Sequence, residues 1–129
     1  VQSEQMNHSE EWPIIAGLYF NRLQKGIKLQ SDPTVVYAWG DFSMNRVYYK
    51  HLKIDSKYNT YKYKGLPPGP IRIPDLKVLD AVLNYKKHDY IFMCAKPEFS
   101  GKHSFAATNE EHKKNAKKYR TFLNKNKVH

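Results

Sequence analysis

A short segment rich in proline and glycine, Gly65 to Pro70, restricts the fold of this chain more than any other part of its sequence. Each proline fixes its own φ angle and lacks a backbone N–H, whereas each glycine accepts positive φ angles. Such a segment cannot continue a helix or occupy the middle of a sheet. It therefore predicts a rigid, kinked loop at this place in the chain.

Tyrosines and short polar side chains precede this loop within the stretch from Ile54 to Ile73, which reads IDSKYNTYKYKGLPPGPIRI. A tyrosine ring can stack on an apolar face while its hydroxyl forms a hydrogen bond. This combination suits a site for a sugar or for a stacked nucleic-acid base. The same residues also fit a hydrophobic strand and turn that only pack, in which case Tyr58 and Tyr61 would face opposite ways.

Chain length and composition predict one globular domain that covers residues 1–129 and buries a core. No apolar run reaches the roughly 18 residues of a membrane-spanning helix, and no signal peptide is visible. The chain begins with Val1 rather than Met, which suggests a fragment or a processed product. The lone Cys94 lies among apolar residues and predicts a buried, inert thiol.

Positive charge is in excess, since 22 Lys and Arg residues against 12 Asp and Glu residues give a net charge of +10. Such an excess favours anionic partners, namely nucleic acid, lipid headgroups or an anionic polymer. The alternative is that lysine-rich faces only keep the protein in solution. No spacing of histidine, cysteine and acidic residues matches a zinc site, and there is no glycine-rich phosphate loop. We therefore expect neither a metal nor a cofactor.

Helix signals dominate the first half of the chain. Proline is accepted in a first turn and glycine is favoured after a last turn, which predicts a helix from Pro13 to Gln24 that stops at Gly26. Asp32 and the proline after it predict a second helix that runs to Trp39, with Asp32 as the capping carboxylate. Residues 41–53 lack a clear period and predict a connecting loop with a short helix.

The second half of the chain places two strand signals between two helix signals. A helix is predicted from Leu76 to Asn84, with an apolar face made of Leu76, Leu79, Val82 and Leu83. The segments from Tyr90 to Ala95 and from His103 to Ala107 predict two strands. Thr108 and Glu111 form a capping box before a final helix. These elements predict an α+β fold with several short helices and a small antiparallel sheet.

Several motifs in a fixed order carry a resemblance to one family. They are AGLYFNRL at residues 16–23, LQSDPTV at residues 29–35, YNTY at residues 58–61 and GLPPGPI at residues 65–71. With them the chain resembles the YceG/MltG family of endolytic murein transglycosylases, which cut the glycan strands of peptidoglycan. The resemblance extends from Val1 to about Tyr119 and implies a lysozyme-like catalytic subdomain.

The resemblance also implies a catalytic acid near the start of the chain. The family pattern Ile-Val-Glu-x-Glu-Thr, aligned at Val1, places Gln2 at its first glutamate and Glu4 at its second. A lytic transglycosylase needs one carboxyl group, which protonates the glycosidic oxygen and then accepts the proton of the attacking C6 hydroxyl. The other acids stand mainly at predicted helix starts, namely Glu10, Glu11, Asp32, Glu110 and Glu111. Glu4 is therefore the expected catalyst.

A substrate groove is expected between the Glu4 segment and the loop from Tyr58 to Pro70. Its expected substrate-binding residues are Gln30, Ser31, Tyr58, Asn59, Tyr61, Gly65, Gly69 and His103. Asn59 and loop carbonyls can orient dipoles toward positive charge on a sugar ring. His103 has an alternative use as a strand residue bonded to the backbone. Arg22 is interpreted as a structural ion-pair partner.

Location and partners also follow from the resemblance. It implies the cell envelope, on the periplasmic side of the inner membrane, with an N-terminal anchor upstream of Val1. The expected partners are peptidoglycan strands and cell-wall synthesis enzymes, and nucleic acid is not expected. Two other functions remain open: a glycan-binding module without turnover, and a basic, aromatic-rich nucleic-acid-binding domain.

Overall fold

The structure is a computed structural model that describes residues 1–44 and 47–126. Its helices are, in chain order, α1 (Trp12–Lys25), α2 (Asp32–Trp39), α3 (Tyr49–Leu52), α4 (Leu76–Leu83) and α5 (Asn109–Lys125). Two strands, β1 (Phe92–Ala95) and β2 (His103–Ala106), and two short 3-10 turns, Gln2–Glu4 and Ser9–Glu11, complete the regular structure of these ranges. No helix in the described ranges is long and apolar enough to cross a membrane.

Helix α1 lies at the centre of the core, and its two ends follow from local sequence signals. Pro13 occupies its first turn, and Gly26 adopts a φ of 67° directly after its last residue, where other side chains are strained. Ile15 and Leu18 are almost fully buried on its inner face. The helix packs against α4 and against the turn Ser9–Glu11. The predicted helix is confirmed, with one more residue at each end.

The two strands form an antiparallel pair that places Phe92 opposite Ala106 and Ala95 opposite His103. Helix α5 packs against both strands. The hydroxyl oxygen of Thr108 accepts a hydrogen bond from the backbone N–H of Glu111 at 3.3 Å, which is one of the two hydrogen bonds of the predicted capping box. Several short helices with a small antiparallel sheet confirm the predicted α+β class, whereas the lysozyme-like subdomain stays a prediction.

The connection between α2 and α4 contains less regular structure than its aromatic content suggests. The short helix expected within residues 41–53 is present as α3, and residues 45 and 46 of that segment lie outside the described residues. Between Ile54 and Ile73 the backbone forms successive turns, so the strand considered for this stretch is wrong. The reason is that the Asn59 side chain bonds to nearby main-chain groups and holds the backbone in turns.

Helix α4 differs from its prediction in the face that it buries. Its one buried residue is Val78, whereas Leu76, Leu79 and Leu83 are exposed. The helix has eight residues and packs along α1, so only one narrow side can face the core. The spacing of the leucines predicts an apolar face correctly, but it cannot show whether another element covers that face.

Candidate active site

Glu4 lies where three cavities of the described structure meet, with volumes of about 490, 500 and 610 Å³. It is the last residue of the 3-10 turn Gln2–Glu4 and is partly buried. One of its carboxylate oxygens, Oε1, accepts hydrogen bonds from the hydroxyls of Tyr19 and of Ser31, the latter at 2.6 Å. The other oxygen, Oε2, has no hydrogen bond within residues 1–44 and 47–126 and is available to a ligand.

Two glutamines fix the turn that carries Glu4. Gln2 donates to the carboxylate of Asp75 at 2.8 Å and accepts from the backbone N–H of Asp75 at 2.9 Å. Gln5 donates to the carboxylate of Glu11 and to the carbonyl of Gly101, both at 2.7 Å. Gln2 is therefore an anchor that ties this turn to the residue directly before α4.

A buried network of hydroxyls holds Ser31 against Glu4. The Thr60 hydroxyl accepts from the backbone N–H of Ser31 at 2.8 Å, and the Thr34 hydroxyl donates to the carbonyl of Ser31 at 2.7 Å. The backbone N–H of Gln30 bonds to the carbonyl of Thr60 at 3.2 Å. Sequence reasoning did not identify Thr60; its only local signal was a small polar residue between Asn59 and a tyrosine.

Asp32 does not cap helix α2, which corrects the prediction. The N-cap residue is Ser31, and no side chain makes a capping hydrogen bond there. The hydroxyl of Ser31 donates to Glu4 instead, and Asp32 accepts a hydrogen bond from the hydroxyl of Tyr61 at 2.5 Å. Both carboxyl groups therefore line the same cleft, and each is bonded to a tyrosine.

Burial and negative charge keep the hydroxyls of the cleft protonated. Burial raises the pKa of Tyr19, and the charge of Glu4 raises it further. Burial also raises the pKa of Tyr61, with a further contribution from the charge of Asp32. The pKa of Asp32 is raised by burial of its carboxyl group, and the hydrogen bond from Tyr61 opposes this effect. Both tyrosines therefore act as hydrogen-bond donors at neutral pH.

The cavity of about 500 Å³ is the polar part of the cleft. Its wall contains four residues expected from the sequence to act in the site, namely Glu4, Gln30, Tyr61 and His103. The wall also includes Asp32, Arg22 and Asn109. Carboxylate, amide, phenol and imidazole groups around one space of this size suit the hydroxyl and amide groups of a sugar.

The cavity of about 490 Å³ is mainly apolar and lies between Glu4 and the proline-glycine loop, where the groove was expected. Ser31 and Gly69 contribute to its wall, together with Leu66, Pro67, Pro70 and Ile71. A sugar presents a polar rim and apolar faces, so a polar and an apolar cavity on either side of one carboxylate suit a glycan chain better than a single small molecule.

Three of the expected substrate-binding residues lie outside these cavities. The ring of Tyr58 packs against Tyr37 with centroids 4.9 Å apart. Asn59 is fully buried, and its amide donates to the carbonyls of Leu52 and Ile54. Gly65 adopts a φ of 82° and forms the turn itself. Asn59 cannot reach a ligand in this conformation, so these three residues shape the loop that carries Tyr61 and Gly69.

Arg22 differs from its predicted use, and Glu11 has contacts that its place at a helix start did not indicate. Arg22 donates to the carbonyls of Ile91 and Lys28, and it forms no ion pair with a carboxylate in the described part of the chain. Glu11 lies at a helix start as expected, directly before α1, but it is buried and accepts a hydrogen bond from the backbone N–H of His103 at 3.0 Å. The partners Ile91 and His103 lie 69 and 92 residues away in the sequence, so the local pattern could not indicate them. No three His, Cys, Asp or Glu side chains in the described ranges cluster as metal ligands do.

Comparison with known proteins matches this chain to one family. The model of the YceG-like family matches residues 1–118. A Bacillus subtilis (strain 168) protein named endolytic murein transglycosylase is 47% identical over 105 residues, which are 81% of this chain and 28% of that protein. A Streptococcus pneumoniae protein of the same name is 34% identical over 111 residues, which are 83% of this chain and 20% of that protein.

A solved structure shares the fold. The crystal structure of a YceG-like protein from Listeria monocytogenes superimposes with a TM-score of 0.72 at 40% identity, and the match covers 88% of this chain and 34% of that one. The chain thus spans less than a third of the curated relatives that it matches. Because the family model covers nearly all of the chain and the relatives agree with it, the chain belongs to the YceG-like family.

Proposed function

We propose that this chain carries the catalytic centre of an endolytic peptidoglycan lytic transglycosylase and that Glu4 is its acid and base. The names of the relatives support the substrate, and the geometry supports the residue. The observation that carries the proposal is that Glu4 lies at the junction of three cavities, with one oxygen held by two hydroxyls and the other without a hydrogen-bond partner among the described residues.

The proposed reaction uses one proton twice. The protonated Glu4 gives its proton to the oxygen that links N-acetylmuramic acid to N-acetylglucosamine, and the bond from this oxygen to C1 of the muramic acid breaks. The C6 hydroxyl of the same muramic acid attacks C1 and returns its proton to Glu4. The product is a 1,6-anhydro end, and no water is consumed. A second carboxylate that activates water, as in an inverting hydrolase, is therefore unnecessary.

The residues around Glu4 have separate proposed roles in orienting its carboxyl group and in binding the glycan. Tyr19 and Ser31 hold Oε1, so the proton is exchanged through Oε2, which faces the cleft. Gln30, Asp32, Tyr61 and His103 line the polar cavity and bind sugar hydroxyl and acetamido groups, while Gly69 forms part of the apolar wall. Tyr58, Asn59 and Gly65 are left out of direct binding because of their positions in the loop.

The setting of the reaction is part of the proposal. The substrate is a nascent glycan strand, so the protein acts in the cell envelope, on the periplasmic side of the inner membrane. An anchor outside the present chain would hold it there, next to the enzymes that synthesise the wall. The net charge of +10 suits an anionic polymer of this kind.

The test is the release of anhydro-muropeptides from purified glycan strands by the chain and by its Glu4→Gln variant. Glutamine keeps the shape of the side chain and cannot transfer a proton, so turnover should be abolished while strand binding is retained. If the isolated chain releases no product, the same pair is compared after it replaces the matching 105 residues of the Bacillus subtilis relative. Undiminished release by Glu4→Gln would assign the catalyst to another residue; binding of strands without release by either protein would indicate a glycan-binding module.

A further inference from the structure

A buried carboxylate stands behind His103 on the side away from the polar cavity. Glu11 accepts hydrogen bonds from the backbone N–H of His103 at 3.0 Å, from the ring atom Nδ1 of His103 at 2.9 Å, and from Gln5 at 2.7 Å. Burial by itself would raise the pKa of Glu11, but these hydrogen bonds outweigh it and the pKa is lowered. Glu11 is therefore ionised at neutral pH.

This contact determines which ring nitrogen of His103 carries the hydrogen. An ionised carboxylate can only accept hydrogen bonds, so Nδ1 of His103 must be the donor. In the neutral ring the other nitrogen, Nε2, then keeps its lone pair and is an acceptor. Glu11 thus fixes both the orientation and the tautomer of the imidazole.

The cavity wall shows where this acceptor is available. His103 lines the polar cavity together with Glu4 and Tyr61, whereas Glu11 does not line it. Nε2 of His103 has no hydrogen-bond partner in the described ranges, while Nδ1 contacts Glu11 and lies 3.5 Å from Gln5. The ring therefore stands between a buried anion and the space in which the glycan of the proposed function would lie.

We propose that Glu11 is a positioning residue that holds His103 in the Nδ1–H tautomer, so that Nε2 accepts a hydrogen bond from a hydroxyl group of the glycan. This inference rests on the proposed function for the identity of the ligand. No proton is transferred at His103, and the reaction steps remain with Glu4. The alternative is that Glu11 has a structural role alone and only links β2 to the turn Ser9–Glu11. In that case the tautomer of His103 would not depend on Glu11.

The substitution Glu11→Gln separates these two roles. The backbone N–H of His103 is always a donor, so the amide oxygen of Gln must face it. The amide NH₂ of Gln then takes the place of Oε1, loses the bond from Gln5 and can only donate to Nδ1, which favours the Nε2–H tautomer. The neighbouring exposed residue Glu10, which contacts His8 at 3.3 Å, offers the matched control Glu10→Gln.

The tautomer is measured by long-range ¹H–¹⁵N correlation spectra of the histidine rings at pH 8, without glycan. The expected result is Nδ1–H in the parent and in Glu10→Gln, and Nε2–H in Glu11→Gln. The same His103 tautomer in the parent and in Glu11→Gln would overturn the inference, as would a parent ring that carries its hydrogen on Nε2.

A second measurement does not need a folded Glu11 variant. Binding of uncleaved glycan strands is measured in the Glu4→Gln background with His103→Leu and with His103→Gln. Leucine removes the acceptor and should raise Kd about tenfold, while the amide oxygen of glutamine reaches the place of Nε2 and should restore most of the affinity. Equal affinity of the leucine variant and its parent would overturn the contact with glycan. Since neither measurement needs turnover, failure of the proposed reaction is distinguishable from failure of this inference.

Discussion

The loop that contains Asn59 and Thr60 buries polar side chains, whereas helix α4 exposes apolar ones. Asn59 and Thr60 are polar and have only 0% and 1% of their surface exposed, whereas Leu76 and Leu83 are apolar and have 82% and 80% exposed. Polar side chains are usually found outside and leucines inside. The difference shows that hydrogen bonding, and not hydrophobicity alone, determines which side chains of these two regions are buried.

Each arrangement has its own physical basis. Burying a polar group is unfavourable unless it is hydrogen-bonded, and both Asn59 and Thr60 bond to several groups. The leucines of α4 remain in contact with water, so they contribute little to stability in this chain. The loop therefore fixes the site, whereas the outer face of α4 can change without moving Glu4.

The largest effect is expected at Asn59. The substitution Asn59→Ala leaves the carbonyls of Leu52 and Ile54 without their donor and should lower the free energy of unfolding by about 2–4 kcal/mol. Urea unfolding measures it, with Asn84→Ala at the exposed end of α4 as the matched control. A loss no larger than that of the control would show that the buried polar loop is not what stabilises this region.

The next effect concerns Thr60. The substitution Thr60→Val keeps the shape but removes the hydroxyl that bonds to Ser31, so the free energy of unfolding should fall by about 1–2 kcal/mol. Product release should fall as well, because Ser31 holds Glu4. Thr60→Ser should restore both quantities, and Thr121→Val on the exposed face of α5 should change neither. Activity of Thr60→Val equal to that of the parent would contradict the link between the network and Glu4.

The stability contributed by the buried carboxylate of Glu11 should depend on pH. The pKa of Glu11 is lowered from its ordinary value of 4.5 in the folded protein, so its stabilisation is fully present above that value. The stabilisation is lost as pH falls through the lowered pKa. The stability difference between the parent and Glu11→Gln should thus shrink as pH falls from about 4.5 to about 3. Thermal unfolding across this range checks it; a difference that grows on acidification would reverse the sign of the pKa shift.

The smallest effect is expected on the outer face of α4. Leu76→Ser and Leu83→Ser should each change the free energy of unfolding by less than about 0.5 kcal/mol, because both side chains are already exposed. Val78→Ala, at the one buried position of this helix, should lower it by about 1.5–3 kcal/mol. Large losses at the two leucines would mean that this face is covered in solution.

The sequence predicts best what depends on neighbours in the chain. Pro13 and Gly26 define α1, and Thr108 starts α5, because turn and cap preferences act over a few residues. Asp32 shows the limit of such signals. It has the right type and position for a cap, but the cap position belongs to Ser31, whose hydroxyl is used by Glu4. Local propensity cannot indicate that a distant acid competes for the same group.

The candidate site was predicted in part, and by different means. Glu4 was assigned by family resemblance, and the structure places it in the cleft with Gln30, Ser31, Tyr61, Gly69 and His103. Thr60 and Glu11 were missed because their partners lie 29 and 92 residues away. Asn59 was expected in the groove because its amide dipole could face positive charge on a sugar ring, but the amide instead bonds to carbonyls of its own loop.

The two glutamines that hold the Glu4 turn have a consequence for how the chain folds during its synthesis. Gln2 bonds to a residue 73 positions later and Gln5 to one 96 positions later. During synthesis the residues of this turn leave the ribosome long before either partner exists, and closing such long loops is slow. A nascent or prematurely ended chain therefore carries Glu4 before the contacts that hold its turn have formed. The Glu4 turn therefore reaches its final position only after the segment that contains Gly101 has been made.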